Sequence, residues 1–397
     1  MSNCWGVWQV YRMLITPLPL VRKSSEGLRQ VVELTLSSDQ EDLESFRPEI
    51  QVIGNGEVKD WPGSMWSHMD VEETSRSVLR SRIDVPAVSD ENSMGKTANF
   101  SLTVLGRADE PLLKQEFAVA PYRQWEIHVV AHSHCDVGFT HPASEVAEIH
   151  NKNLDLALAA IRATEHWPEE ARFRWTIENS WQLENYRKSR SPSLIKRVIE
   201  EAEAGRIEVT ACYLHNHFDI LGANQLHRIT WEAEWWRRQG IRVDTAMLSD
   251  IPGVTWGIIP VLRAAGVQYL AMAPNNFSAP FHQFAPPDRP FYWAEPGGER
   301  LLVWYTGDPY WAYIEGARYG LLEDVKTVAE KLPDLLIDLE ESYPFPYLML
   351  QVAFDNDRFQ ISPALVVQEW NSVYAWPRLR TALPSDFFRR IEEEYGN

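Results

Sequence analysis

Ile127-His-Val-Val-Ala131, followed at once by His132-Ser-His134-Cys-Asp136-Val-Gly138, is the stretch that decides the fold. A short apolar run ending abruptly in metal-capable side chains reads as a buried strand that delivers chemistry at its C-terminal end. The segments that follow repeat this unit. The spacing predicts a helix from about Ser144, with Val146, Leu154, Ala157 and Ile161 on one face, and then a strand over Phe173–Ile177. A second helix has Ser191 as cap, Pro192 at its first position and Gly205 past its end. Strand Ile207–Tyr213, helix Ala223–Gln239, strand Val243–Leu248 and helix Trp256–Ala265 continue the alternation. Later strands are expected over Val267–Met272, Leu301–Tyr305 and Tyr347–Val352, with helices near 322–342, 362–374 and 385–395. Such repetition means a parallel sheet, and about seven strand–helix units fit a closed barrel better than a small open sheet.

Upstream the period changes. Val31-Val-Glu-Leu-Thr-Leu36 and Ala98-Asn-Phe-Ser-Leu-Thr-Val-Leu105 alternate apolar and polar residues, as half-buried strands do. Residues 1–122 therefore read as a β-rich, sandwich-like accessory domain and residues 126–397 as the α/β barrel. The fold class is α/β, a seven-stranded distorted barrel preceded by a β-sandwich-like domain. Over 397 residues, 45% hydrophobic and 24% charged, the composition is that of a globular chain rather than a disordered one. A net charge of -18 argues against nucleic acid as partner, because phosphate binding needs a basic face. Cys4, Cys135 and Cys212 are too few and too scattered for a disulfide framework. No apolar run approaches bilayer length, and the patch Met13-Leu-Ile-Thr-Pro-Leu-Pro-Leu20 is broken by two prolines. That patch also lacks the basic region and cleavage site of a signal peptide, so a cytoplasmic location is the expectation.

In a parallel barrel, catalytic groups collect at the C-terminal ends of the strands. The first strand ends at His132, His134 and Asp136, and the second at Glu178, in Trp175-Thr-Ile-Glu-Asn-Ser-Trp181. The third is followed by His215, His217 and Asp219, and the fourth by Asp250, in Met247-Leu-Ser-Asp-Ile-Pro-Gly253. The fifth, sixth and seventh end at Asn275, at Asp308, and at Asp355 with Asp357. His134-x-Asp136 places an imidazole and a carboxylate on one side of an extended chain. That pair suits zinc or another first-row divalent ion. The competing reading is a rim of hydrogen-bonded histidines.

His132-Ser-His134-Cys-Asp136-Val-Gly138-Phe139 resembles the His-x-His-x-Asp-x-Gly-Trp signature that opens the catalytic domain of family 38 glycoside hydrolases, the α-mannosidases. Ser249-Asp250-Ile-Pro-Gly253, with Ile258–Gly266 after it, resembles that family's second signature. The resemblance implies that His134, Asp136 and Asp250 bind Zn2+ and that Asp250 is also the nucleophile. It implies retaining hydrolysis of an α-mannoside, with zinc gripping adjacent sugar hydroxyls. Asp355 is the expected general acid, with Asp357 and Asp308 as alternatives. Glu178, Trp181 and Asp219 are the candidates for sugar contacts, and Trp293, Tyr310 and Trp311 also lie near strand ends. Trp235-Trp236 reads as packing, and Cys135 as an inert residue facing away from the metal.

Three departures from the family stand out. Phe139 replaces the usual Trp, and Ile-Pro-Gly-Val-Thr follows the nucleophile in place of the Pro-Phe-Gly-His-Ser type. The fourth metal ligand of the family is a His beyond the barrel, and no His follows His282. The expectation is a chain truncated at its C-terminus, or a site with three protein ligands that binds zinc weakly. A metal-dependent polysaccharide deacetylase and a carbohydrate-binding pseudoenzyme are the competing functions.

Overall fold

The computed structural model describes residues 11–25, 27–38, 47–54, 57–61, 66–71, 77–88, 97–105, 111–251, 253–275, 290–306 and 312–396. The side chains of Tyr11, Ser38, residues 47–71, Ser77, Leu79, Leu112 and Asp219 are outside that description. The chain divides into two compact units, Met1–Gln124 with Ser372–Pro377, and Trp125–Asn371 with Arg378–Asn397.

The first unit holds strands β1 (Tyr11–Ser24), β2 (Gly27–Ser38), β3 (Arg47–Gly54), β4 (Glu57–Trp61), β5 (Trp66–Val71), β6 (Ser77–Pro86), β7 (Ala98–Leu105) and β8 (Pro111–Val119). They form two antiparallel sheets, one of which also takes in the short strand Tyr374–Trp376 at the edge of β1. Gly27 closes the β1–β2 hairpin at φ +110°, a conformation that a side chain would oppose. Alternate residues face inward, as period-2 patterning requires. Val32, Leu34, Leu36, Ile83 and Val85 from one sheet and Phe100, Leu102, Val104 and Val119 from the other form one core cluster. Phe100 and Phe117 are register partners and stack at 5.4 Å.

The second unit alternates strands and helices. Its strands are β9 (Glu126–Ala131), β10 (Trp175–Ile177), β11 (Ile207–Val209), β12 (Thr245–Ser249), β13 (Tyr269–Ala273), β14 (Phe291–Ala294), β15 (Arg300–Tyr305) and β16 (Tyr347–Val352). The strand Tyr374–Trp376 named above is β17, and Arg378–Thr381, back in this unit, is β18. β9 lies between β16 and β18 and is parallel to both, with Ile127 opposite Leu348 on one side and Leu379 on the other. Paired on both edges, β9 buries every residue from Ile127 to Ala131, which is why it reads as a continuous apolar run.

β12, β13 and β15 pair in parallel, with β14 antiparallel at their edge, and β10 pairs with β11. Among the described residues the ladders therefore fall into three sheets rather than one ring. β10 and β11 have three residues each, and the link onward runs through one backbone hydrogen bond, Ala211 N–H to Thr245 O at 2.9 Å.

Helix α1 (Ala143–Ala163) buries Val146, Leu154, Ala157 and Ile161, the face its spacing predicts, and His150 with them. α2 (Ser180–Ser189) is capped by Asn179, whose side chain accepts from the Gln182 N–H. α3 (Pro192–Glu203) begins on Pro192. The single helix expected over 223–239 is instead two, α4 (Ala223–Leu226) and α5 (Trp231–Arg237). At the break, the Ile229 carbonyl accepts from Tyr213 N–H at 2.6 Å, so a tertiary contact takes an acceptor that a continuous helix would use. α6 (Ile258–Ala264), α7 (Glu315–Arg318), α8 (Val325–Glu340), α9 (Ser362–Val373) and α10 (Pro384–Tyr395) complete the set of described helices. No described helix is long and apolar enough to cross a membrane.

α10 carries Phe387 and Phe388 into the core with no exposed surface. Phe387 meets Trp304 edge-on at 4.9 Å and His128 at 5.7 Å, and Phe388 stacks on Tyr269 at 5.1 Å. Phe387→Ala should lower unfolding stability by about 3–5 kcal/mol through lost transfer energy and the cavity left behind. Urea unfolding followed by tryptophan fluorescence measures it, and a loss below about 1 kcal/mol would show that the site collapses around the missing ring.

Candidate active site

Pairing between β9 and β16 runs past the strands themselves. His132 N–H donates to Val352 O at 3.2 Å, His134 N–H to Phe354 O at 3.1 Å, and Asn356 N–H to His134 O at 2.8 Å. His134 and Asp355 thereby stand side by side as an isolated parallel bridge. The end of β10 supplies Glu178 and the segment after β11 supplies His215.

Glu178 has no exposed surface. Its two oxygens lie 3.0 and 3.1 Å from His134 Nδ1, and one accepts from the Cys135 N–H at 2.9 Å. His215 Nε2 lies 3.0 Å away and His132 Nδ1 3.4 Å away. Burial alone would raise the Glu178 carboxyl, but the charges of His134 and His215 and their hydrogen bonds outweigh it and hold the group well below the ordinary range. Burial depresses His134 as well, yet Glu178 and Asp136 overcome that and lift it to about 10. His132 goes the other way, pushed down to about 4 by burial. The pair that carries charge is therefore His134 with Glu178.

The other edge of His134 faces carboxylates. Nε2 lies 3.4 Å from Asp136 Oδ1 and 3.9 Å from Asp250 Oδ2. The ring is held between Tyr313, stacked at 4.2 Å, and His215 at 5.1 Å. With Nδ1–H donated to Glu178, a neutral His134 turns its Nε2 lone pair toward Asp136 and Asp250. This is the carboxylate–histidine arrangement that orients a metal ligand. Ligand bonds of about 2.0–2.2 Å in tetrahedral geometry place donor atoms roughly 3.4 Å apart, which the His134–Asp136 separation matches and the His134–Asp250 separation exceeds. His134, Asp136 and Asp355 also offer donor atoms all within 4.8 Å of one another. Imidazole and carboxylate donors of this kind suit a first-row divalent cation, and Asp250 stands at the edge of the group.

Asp250 sits in the left-handed backbone region at φ 56°, with its N–H on Ala273 O at 2.7 Å. Asn275, the expected fifth strand end, donates to Asp250 Oδ1 at 2.8 Å. Burial raises the Asp250 carboxyl; His134 opposes this, and the negative charges of Asp136 and Asp355 add to it. Asp355 accepts a hydrogen bond from Tyr313 OH. Asp357 is turned to its own loop, where its carboxylate accepts from Arg358 N–H at 2.7 Å and Gln360 Nε2 at 3.0 Å.

The structure relocates one expectation. Glu178, read from sequence as a sugar contact, has no surface to offer and both oxygens occupied by the histidines and the Cys135 N–H. Trp181 lies in the first turn of α2, half-buried, its N–H on Tyr213 O at 3.0 Å. The Asp219 side chain lies outside the described residues, as do Asp308, Tyr310 and Trp311. Cys135 is buried, its thiol pushed up to about 12 by burial. Phe139, at the end of the first motif, is 86% exposed. Tyr313 was missed by sequence reading. It lies in a short helical turn, Ala312–Ile314, with no local signal for a ring on His134.

Parallel strands that gather acids and histidines at their C-terminal ends define an α/β enzyme-type fold. The family model for glycosyl hydrolases family 38, N-terminal domain, matches residues 124–397. The chain belongs to that family. Among solved structures it is similar to an α-mannosidase from Enterococcus faecalis V583, at 17% identity and a TM-score of 0.55, over 68% of this chain and 29% of that one. At that identity the likeness is one of fold. A 4-alpha-glucanotransferase from Thermococcus litoralis matches at 14% identity and a TM-score of 0.42, over 67% of this chain and 38% of that one. BC0361, a polysaccharide deacetylase from Bacillus cereus, gives 10% identity and a TM-score of 0.23, over 75% of this chain and 94% of that one. The chain spans 29% of the length of the α-mannosidase. No curated protein matches it.

Because Glu178 holds His134 protonated, Glu178→Gln should drop the His134 titration from about 10 toward the ordinary range in metal-free protein. Zinc affinity should fall about 10–100-fold in the same variant. NMR titration of the imidazole and a chelator competition measure the two effects. Unchanged values in a folded variant would remove Glu178 from the site.

Proposed function

We propose that this chain carries the metal-binding catalytic unit of a retaining glycoside hydrolase that acts on α-mannosides. The unit from Trp125 onward would be its distorted α/β barrel, and residues 1–122 an accessory β domain. The observation that carries the reading is His134, tied through Nδ1 to buried Glu178 and presenting Nε2 to Asp136 and Asp250. Family membership supplies the reaction class.

In this reading His134, Asp136 and Asp250 would hold the cation, which would supply a Lewis-acid template for neighbouring sugar hydroxyls. An Asp250 carboxylate oxygen attacks the anomeric carbon as the bond to the leaving oxygen breaks. Asp355 gives its proton to that oxygen. Water then attacks the same carbon, its proton passes to Asp355, and the bond to Asp250 breaks, releasing the sugar with its configuration retained. Asp355 is preferred to Asp357 as the acid because the Asp357 carboxylate is engaged within its own loop. Tyr313 fixes the Asp355 carboxyl from the side.

The test is hydrolysis of an aryl α-mannoside by the zinc-loaded chain, with the anomer of the first product read by NMR. Asp250→Ala should lower kcat/KM by on the order of 10³-fold or more. The α-anomer is expected first. The β-anomer would mean inversion, and acetate released from an acetylated glycan without free reducing sugar would make the chain a deacetylase. Mannoside binding without turnover, equal in wild type and Asp250→Ala, would make it a binding protein.

A further inference from the structure

Asn356 has no part in the chemistry proposed above, yet it is 95% removed from solvent and held in the left-handed region at φ 45°. Among non-glycine residues, Asn and Asp tolerate that conformation best, so the residue type fits the turn. The turn aims its amide at the loop that carries the metal ligand Asp136. Oδ1 accepts from the Asp136 N–H at 3.1 Å, and Nδ2 donates to the Asp136 carbonyl at 2.8 Å. One side-chain amide therefore pairs with both polar groups of a single residue's backbone, much as a neighbouring strand would. Nδ2 also donates to Thr140 Oγ1 at 2.7 Å, four residues further along the same loop.

A fourth partner comes from α1. His150 Nε2, on the buried face of that helix, lies 3.0 Å from Asn356 Oδ1 and donates to it. The amide orientation is then fixed by its surroundings. Rotated by half a turn, the NH2 group would face two donors, the Asp136 N–H and His150, and the oxygen would face the Asp136 carbonyl. Asn356 is also joined to the other ligand, since its own N–H donates to His134 O at 2.8 Å. A single residue thus connects the backbones of His134 and Asp136.

We infer that Asn356, oriented by His150, is a positioning residue that sets where the Asp136 carboxylate stands relative to His134 Nε2. The inference rests on the metal reading of the site and adds to it how the first motif is held. His-x-Asp alone does not fix the Asp, because Asp136 lies beyond the end of β9, where no ladder constrains it. The Asp136 carboxylate is itself 19% exposed, so its position depends on the backbone beneath it. Partners of this outer kind change metal affinity by about 10–100-fold when removed.

The experiment measures zinc affinity by chelator competition, and the visible absorption of the cobalt-substituted chain, for wild type, Asp136→Ala, Asn356→Gly, His150→Phe and His150→Gln. Glycine keeps the left-handed backbone and removes only the clamp. Asn356→Gly should bind zinc about 10–100-fold more weakly and shift the cobalt spectrum, while metal-free protein keeps the wild-type circular dichroism. His150→Phe should give a smaller loss, recovered in His150→Gln, which restores a donor. Wild-type affinity and an unchanged cobalt spectrum in folded Asn356→Gly would overturn the clamp alone. If that variant does not fold, wild-type affinity in His150→Phe overturns it instead. A wild-type chain without divalent affinity would overturn the metal reading and the clamp together, whereas full affinity in Asp136→Ala would overturn the clamp and leave another donor set to hold the ion.

Discussion

A carboxylate with no exposed surface, Glu178, is what the rest of the site depends on. Taking such a group out of water costs several kcal/mol unless charge and hydrogen bonds compensate. The compensation comes from the ends of two other strands. His132, His134 and the Cys135 N–H belong to the end of β9, Glu178 itself follows β10, and His215 follows β11. One buried charge therefore ties together segments that the short β10–β11 ladder holds only loosely. Its pH dependence follows from the two shifts. Glu178 is depressed, so its contribution is present above the ordinary glutamate pKa and is lost as pH falls through the folded value. His134 is raised to about 10, so its contribution is complete below the ordinary histidine pKa and is lost as pH rises through about 10. The metal-free pair is thus strongest between the two ordinary values.

The backbone at the site is strained where the chemistry is. Asp250 and Asn356 are the two non-glycine residues with positive φ among those described. Asp250 directly follows β12, and Asn356 lies four residues beyond the end of β16. Left-handed backbone costs energy that the surroundings must repay, and here the repayment is visible. Asp250 is held by Ala273 O and Asn275, and Asn356 by Asp136, Thr140 and His150.

Much of this was legible in the sequence, for reasons that can be named. β9 is buried on both edges, so its apolar run ends sharply at His132 and the chemistry begins at a readable boundary. The α1 face was equally legible, because a 3.6 period survives over 21 residues. β14 and β18 were not. At four residues each, they are too short for a period to show, and they exist because a neighbouring strand offers an edge. The split between α4 and α5 was hidden for the same kind of reason, since the apolar spacing runs on while Ile229 is engaged by Tyr213. In the site, strand-end position found Glu178 but not its role. Sequence shows that a carboxylate is at the end of a strand, and only packing shows that three imidazoles surround it. Tyr313 had no signal at all, being one aromatic among many.

The charges of the site do not balance, and the imbalance has a direction. Asp136, Asp250 and Asp355 crowd the Nε2 edge of His134, while the single positive charge there is already shared with Glu178. The raised Asp250 carboxyl is the visible symptom, because after burial its main opponents are the two neighbouring aspartates. A carboxylate that must act as a nucleophile needs to be ionised, so this crowding works against the role proposed for Asp250. A divalent cation reverses the sign of the local field and turns the repelling aspartates into co-ligands. Crowded acids beside one imidazole are costly in a site meant to stay metal-free and reasonable in one meant to hold an ion. The same arithmetic makes sense of a neutral residue at 356. A third acid between Asp355 and Asp357, set against the Asp136 carbonyl, would add repulsion and lose the donor that pairs with it.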